Sequence, residues 1–312
     1  MARARANDEI FVYMGGNQQV PPVVGRARIH KSVKIVRARA FQFCQHLIYV
    51  EFHDGIEIIE ERAFTACWSL KGPIKLLGVK IIKQFAFDWC HRLTDVEFGD
   101  KLETIEHHAF NGCTALKKVR MPSVRTIGKW AFAGSKELSD VEFGGELDAL
   151  QEGTFRNCPE LKRIALPLKG NMIEDGVFDD CPKLETVNLV GGIHQTVASL
   201  HLESWRDEMN NEINRINQVL PSTCSVGGDK GGEMRQWMES VIHHLDHYKA
   251  EHKALLKEAT TLLELALWKT NLAEKEGGEV AKEGQREREE VRVISGASIV
   301  IKNVLPFLVL KL

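Results

Sequence analysis

The feature that most constrains this chain is a phenylalanine that returns at an almost constant interval. Phe41, Phe64, Phe87, Phe110, Phe132, Phe155 and Phe178 are separated by 23, 23, 23, 22, 23 and 23 residues. Five positions before each stands Val36, Ile59, Ile82, Ile105, Ile127, Leu150 or Ile173, and six positions after it Leu47, Leu70, Leu93, Leu116, Leu138, Leu161 or Leu184. One copy is too short to cover its own apolar face. A fixed period with several apolar anchors therefore predicts a solenoid in which each copy stacks on the next.

Within a copy, "LTDVEF" (93–98) alternates, with Val96 and Phe98 inward and Asp95 and Glu97 outward, which predicts a short strand with one buried face. It recurs as "LIYVEF", "LKKVRM", "LSDVEF", "LKRIAL" and "LETVNL". In "LKGPIKL" (70–76) an extra residue, Pro73, removes a ladder donor, so a bulge is expected there. This Leu-x-x-Val-x-Phe strand, followed by an Ile-x-x-x-Ala-Phe-x-x-Cys segment, resembles the BspA-like subclass of leucine-rich repeat proteins. The wording of the repeats and the helical region after them are also similar to members found in diatoms. The resemblance implies an α/β repeat solenoid of 23-residue period, and a protein-binding role, because bacterial and protozoan relatives are surface proteins that bind host or matrix proteins.

Six of the seven cysteines, Cys44, Cys67, Cys90, Cys113, Cys158 and Cys181, stand three residues after the Phe, and the fifth copy has Ser135 there. A disulfide framework is one reading. A slot shared by every rung and fillable by Ser points instead to a small buried group and a reducing compartment. No Cys-x-x-Cys pair is present to hold zinc. His243 and His247, four apart beside His244, share one helix face, but without a His-Glu-x-x-His pattern or a third ligand they read as a solvated face. "TIGKW" lacks the upstream Gly and the Ser or Thr of a phosphate loop, and no nucleophile elbow occurs. The chain is thus expected to be no enzyme and to carry no cofactor and no metal. A net charge of only -2 gives no general attraction to nucleic acid. The amino terminus "MARARANDEIFVYM" does not read as a secretory signal, and the longest apolar tract, "SIVIKNVLPFLVLKL", is broken by Lys302, Asn303 and Pro306. No membrane span and an intracellular, cytoplasmic location are the expectations.

The outward strand positions are Tyr49 and Glu51, Asp95 and Glu97, Lys118 and Arg120, Asp140 and Glu142, then Arg163. Their signs alternate from rung to rung. Parallel strands lie about 4.8 Å apart, so these charges either neutralise one another as a ladder or form a concave surface for a protein partner. Trp68, Trp89 and Trp130 fall on the turn side, as packing residues or as a contact patch.

After residue 195 the period changes. Leu202, Trp205, Met209, Ile213, Ile216 and Val219 are spaced by three and four, predicting an amphipathic helix that stops before Pro221. A second helix is expected from Glu233 to about Glu276, after a glycine-rich linker, with nearly five heptads in its stripe. The predicted organisation is an N-terminal cap (1–32), the seven-copy solenoid (33–195), a helical hairpin or coiled coil (197–276), and a charged linker with an apolar tail (277–312). The hairpin's longer arm leaves Leu255, Leu262, Leu263 and Leu267 as a helix interface, covered by a second copy, a partner or the tail folding back. These features describe a non-catalytic protein-interaction scaffold whose helices oligomerise or recruit. The alternative is a structural assembly protein acting mainly through its helices.

Overall fold

The computed structural model describes residues 10–200, 202–223 and 229–276. Its main ladder contains β1 (Ile10–Tyr13), β2 (Arg26–Ile29), β3 (Tyr49–Glu51), β4 (Ile74–Leu76), β5 (Val96–Phe98), β6 (Lys118–Met121), β7 (Asp140–Phe143), β8 (Arg163–Pro167) and β9 (Thr186–Val190). All pairings are parallel, in the groups β1–β2–β3, β4–β5 and β6–β7–β8–β9, with an Asp95–Lys118 bridge joining the last two. The ladder is interrupted between β3 and β4, at the cis Gly72–Pro73 peptide. Instead of a bulge, strand pairing lapses here, since Pro73 has no N–H to donate, while the Lys71 N–H still donates to the Ile48 carbonyl at 3.0 Å. A second parallel ladder consists of two-residue strands, from Ile35–Val36 to Ala149–Leu150. Each coil therefore contributes one strand to each of two faces.

The phenylalanines stack between these faces. Ring centroids from Phe41 to Phe178 follow one another at 4.7, 5.0, 5.0, 5.2, 5.5 and 6.0 Å, with planes within 15° of parallel. Tyr13 continues the column beyond Phe41, at 5.2 Å. The turns carrying these rings are also laddered. The N–H groups of Arg39, Phe41 and Phe43 donate to the carbonyls of Glu61, Ala63 and Thr65 in the next coil, at 2.8–3.0 Å. Three alternate N–H groups must point the same way, and the chain achieves this with left-handed residues two before and two after each Phe. Gly112, Gly134, Gly153 and Gly176 occupy four of these places, but Arg62, Phe85, Trp89, His108 and Trp130 occupy others at φ of 56–61°. Each such non-glycine residue costs on the order of 1 kcal/mol, which the shared ladder offsets.

The cysteine slot is a packing slot. The six described cysteines are free and buried. The thiols of Cys67, Cys90, Cys113, Cys158 and Cys181 each donate to the carbonyl of the Phe one coil back, at 3.1–3.4 Å. Burial pushes Cys67, Cys90, Cys113 and Cys158 well above the usual thiol range, so they stay protonated donors. Ser135 is fully buried and its Oγ has no hydrogen-bond partner. The C–O bond is shorter than C–S, so the hydroxyl stops short of a carbonyl that a thiol reaches.

The helices are α1 (Ile193–Ala198), α2 (Glu203–Val219) and α3 (Lys230–Glu276), with a 3-10 turn at Leu220–Thr223. Two compact units result, one of Met1–Ile193 with Ile213–Ser240, the other of His194–Glu212 with Val241–Leu312. In the first unit the helices close the end of the solenoid. Asn217 Oδ1 accepts the outward Val187 N–H of β9 at 2.8 Å, and the buried Lys230 Nζ donates to the Pro182 and Leu184 carbonyls at 2.9 and 2.6 Å. α3 starts three residues earlier than its apolar stripe predicts, because Asp229 caps it through the Gly232 N–H at 2.7 Å. That first turn lies close to Ile173 and Phe178 of the last coil. In the second unit Trp205 stacks on Tyr248 at 4.9 Å, with Met209 and Leu245 buried.

Two measurements test this packing. Ser135→Cys is expected to stabilise the protein by about 1 kcal/mol in chemical denaturation, by making the hydrogen bond that the serine hydroxyl lacks. Asp88 is buried, and burial pushes its carboxyl up to about 6 against the Asn111 Nδ2 hydrogen bond at 2.9 Å. A folded-state value above the unfolded one means the native state holds the proton longer, so this group's contribution falls as pH rises from about 4 to about 6 and then levels off. Asp88→Asn should raise stability at pH 7 by roughly 1–2 kcal/mol while changing it little at pH 4.

Candidate functional site

The strand face of the solenoid carries a hollow of about 970 Å³, lined from Pro73 through Asp95, Glu97, Lys118, Arg120, Asp140, Glu142 and Arg163 to Ala165, Asn188 and Val190. Seven of the predicted face residues line it. Tyr49 and Glu51 lie on β3, beyond the Pro73 break, and are not among its lining residues.

Parallel register places the charges directly opposite one another. Along one column Arg28 pairs with Glu51 at 2.6 Å, Lys75 with Glu97 at 3.4 Å and Arg120 with Glu142 at 3.1 Å. Along the other, Asp140 lies between Lys118 at 3.7 Å and Arg163 at 2.7 Å. Asp140 is held below the usual carboxylate range: partial burial acts upward, and the hydrogen bonds from Arg163 and Ser139 outweigh it. Tyr49 sits under the Arg26 guanidinium at 5.7 Å. Arg28 and Lys75 were missing from the sequence reading. Arg28 lies in the segment assigned to the cap and Lys75 in the irregular copy, where register could not be carried across the extra residue.

The alternation extends around the whole coil. At the corner, Glu57 is flanked by Lys34 and Lys80 at 3.6 and 2.9 Å, and Asp148 by Arg125 and Lys169 at 3.0 and 2.8 Å. One step further, Arg37 meets Glu60 at 3.5 Å and Lys129 meets Glu152 at 3.0 Å. Glu57, Asp148 and Lys80 are shifted toward their charged forms, chiefly by these hydrogen bonds. At the corner position successive coils carry Lys34, Glu57, Lys80, Glu103, Arg125 and Asp148, basic and acidic in turn, so the charge pattern repeats every two coils. The pairs are exposed and individually weak. Their joint effect is register, since a slip of one coil would set like charges against like. The ladder ends at coil seven. Beyond Arg163 the opposing residues are Ala165, Thr186 and Asn188, so the C-terminal part of the hollow is uncharged.

On the turn side Trp68 and Trp89 are exposed. Trp130 is half-buried, with His108 stacked on it at 6.3 Å and the Arg156 guanidinium over it at 5.2 Å. In the second unit, Leu255, Leu262 and Leu267 are exposed and Leu263 is half-buried. Leu265 and Trp268, at 48% and 60% exposure, widen that apolar surface beyond the predicted stripe. The tail from 277, one of the coverings expected from the sequence, lies outside the described residues. Among the described residues no three His, Cys, Asp or Glu side chains come together to hold a metal ion. His247 Nε2 lies 3.3 Å from Glu251. No described helix is long and apolar enough to cross a membrane.

The chain is similar to several solved proteins. A leucine-rich repeat protein of T. pallidum is 27% identical over 50% of this chain and 62% of its own length, with a TM-score of 0.38. One from Bacteroides ovatus is 28% identical over 58% of this chain and 46% of its own, with a TM-score of 0.45. The pneumococcal vaccine antigen PcpA is 18% identical over 60% and 62%, with a TM-score of 0.38. The chain thus spans about half to three-fifths of the length of these proteins. No curated protein matches it. The family model for the BspA type leucine-rich repeat region matches residues 25–75 and 80–200 in six copies. Matched over more than half its length, the chain belongs to the BspA type leucine-rich repeat family.

Proposed function

We propose that the protein is a non-catalytic interaction scaffold that holds a protein partner in the strand-face hollow. The repeat fold is one typical of protein-interaction scaffolds, and the observation that carries the reading is the hollow's charge distribution. In its middle, Lys118, Arg120, Asp140, Glu142 and Arg163 are already engaged with one another. A partner there meets a patterned but nearly neutral surface. At the C-terminal end Ala165, Asn188 and Val190 offer apolar and hydrogen-bonding groups without competing ions. Specificity is therefore expected from that end, and the central charges serve chiefly to keep the coils in register. Exposed thiols, convergent acids and metal-ligand clusters play no part in the reading.

A second reading is favoured by one observation in the other unit. Leu262, Leu265, Leu267 and Trp268 are each about half or more exposed on one stretch of α3, a larger apolar surface than a helix in water usually carries. A structural assembly protein would make its essential contact there.

Substitution in the full-length chain separates the two. Asn188→Lys adds a charge at the uncharged end without breaking an ion pair, and should abolish partner capture from native lysate while leaving the unfolding midpoint unchanged. Capture that survives Asn188→Lys but is lost with Leu267→Asp and Trp268→Asp would replace the scaffold with helix-driven assembly. Lys118→Glu combined with Arg120→Glu places like charges across β5, β6 and β7, and should lower unfolding free energy by roughly 1 kcal/mol.

A further inference from the structure

The two ends of the solenoid differ. At the C-terminal end the outward N–H of β9 is taken by Asn217, and the last coil is covered by the start of α3. At the N-terminal end β1 is paired with β2 on one side only, and among the described residues no strand lies on the other. The Tyr13 carbonyl accepts the His30 N–H at 2.9 Å, which fixes the phase of the strand. Phe11 and Tyr13 turn their peptide groups toward β2, so Ile10 and Val12 turn theirs outward. The Met14 N–H that follows is already taken by Gln18 Oε1 at 2.6 Å.

Among the described residues this edge is shielded by neither charge, proline nor a covering element, only by being four residues long. Ile10–Tyr13 contains no proline and no charge, and the side chains of Ile10 and Val12 are 36% and 40% exposed. Natural edge strands carry Lys, Pro or a bulge to prevent pairing with another chain. The charge ladder makes the omission specific. Val12 stands in the column Arg28–Glu51 and Ile10 in the column of Arg26 and Tyr49, where the alternation calls for an acid opposite each arginine. Both are apolar instead.

We propose that β1 is a self-association edge, pairing antiparallel with β1 of a second copy about a two-fold axis through Phe11. In that register Ile10 faces Val12 of the other copy and the two residues exchange their free N–H and C=O groups. Phe11 faces its counterpart at the closely spaced, non-hydrogen-bonded position. Arg26 and Arg28 of β2 then lie three strand spacings from their counterparts, about 14 Å, beyond a Debye length of about 8 Å, so their like charges do not oppose the contact. Because the opposite end is capped by α2 and α3, head-to-tail growth is blocked and the pairing closes as a dimer. This contact is independent of whatever the strand face binds.

Light scattering after size exclusion on the full chain at micromolar concentration tests it. The expected mass is twice that of the chain, falling to the monomer for Val12→Lys and for Ile10→Lys, with circular dichroism and unfolding midpoint unchanged. Phe11→Cys under oxidising conditions should trap the dimer as an interchain disulfide. A wild-type monomer, or a dimer that persists in both lysine variants, overturns the proposal. Loss of the dimer only on Leu267→Asp with Trp268→Asp assigns association to α3 and equally overturns it.

Discussion

The stacking of one phenylalanine on the next is the interaction on which the rest of this structure depends. An isolated coil would expose the face of its ring, the thiol slot and three turn N–H groups. Each of these is satisfied only by the adjacent coil. Burial of the rings supplies the non-directional part of the stability, while the thiol-to-carbonyl and turn-to-turn hydrogen bonds fix how far and at what angle the next coil lies. The price of this arrangement is backbone strain at left-handed residues such as Phe85 and Trp89, tolerated because the shared ladder holds the turn in one conformation.

A repeated column has a weakness that its regularity creates: every coil resembles every other, so the spine alone does not forbid a slip by one repeat. The alternation of basic and acidic coils removes that degeneracy. Lys34, Glu57 and Lys80 meet in order at one corner, and Lys118, Asp140 and Arg163 on the strand face. Exposed ion pairs contribute little individually. A one-coil slip would nonetheless convert many of them into repulsions at once, which separates the native register from its nearest competitors. The same arrangement consumes the charges of the central hollow and leaves Ala165 and Asn188 at its uncharged end.

Solenoids must also end. At the C-terminal end a buried lysine, Lys230, and an asparagine, Asn217, satisfy groups that a further coil would have satisfied. Residues 213–240 therefore belong to the same compact unit as the repeats, although in sequence they read as part of a separate helical region. The start of α3 at Lys230 follows from this role, because Asp229 caps a first turn that lies close to Phe178.

The sequence by itself determined the period, the inward residues and the family, because an interval of 23 residues with Phe, Ile, Leu and Cys at constant offsets admits only a stack of coils. It also disclosed alternating signs along the strands, since every second strand residue faces outward. What it left open depended on neighbours far apart in the chain. Lys75 and Arg28 joined the charge columns only once the register around Pro73 and through β2 was known. Ser135 revealed its unpartnered hydroxyl only when the distance to a carbonyl one coil away was set by packing. The difference between a capped β9 and a β1 with no second neighbour among the described residues belongs to tertiary structure alone, because both strands are short and largely apolar and only the surrounding elements set them apart.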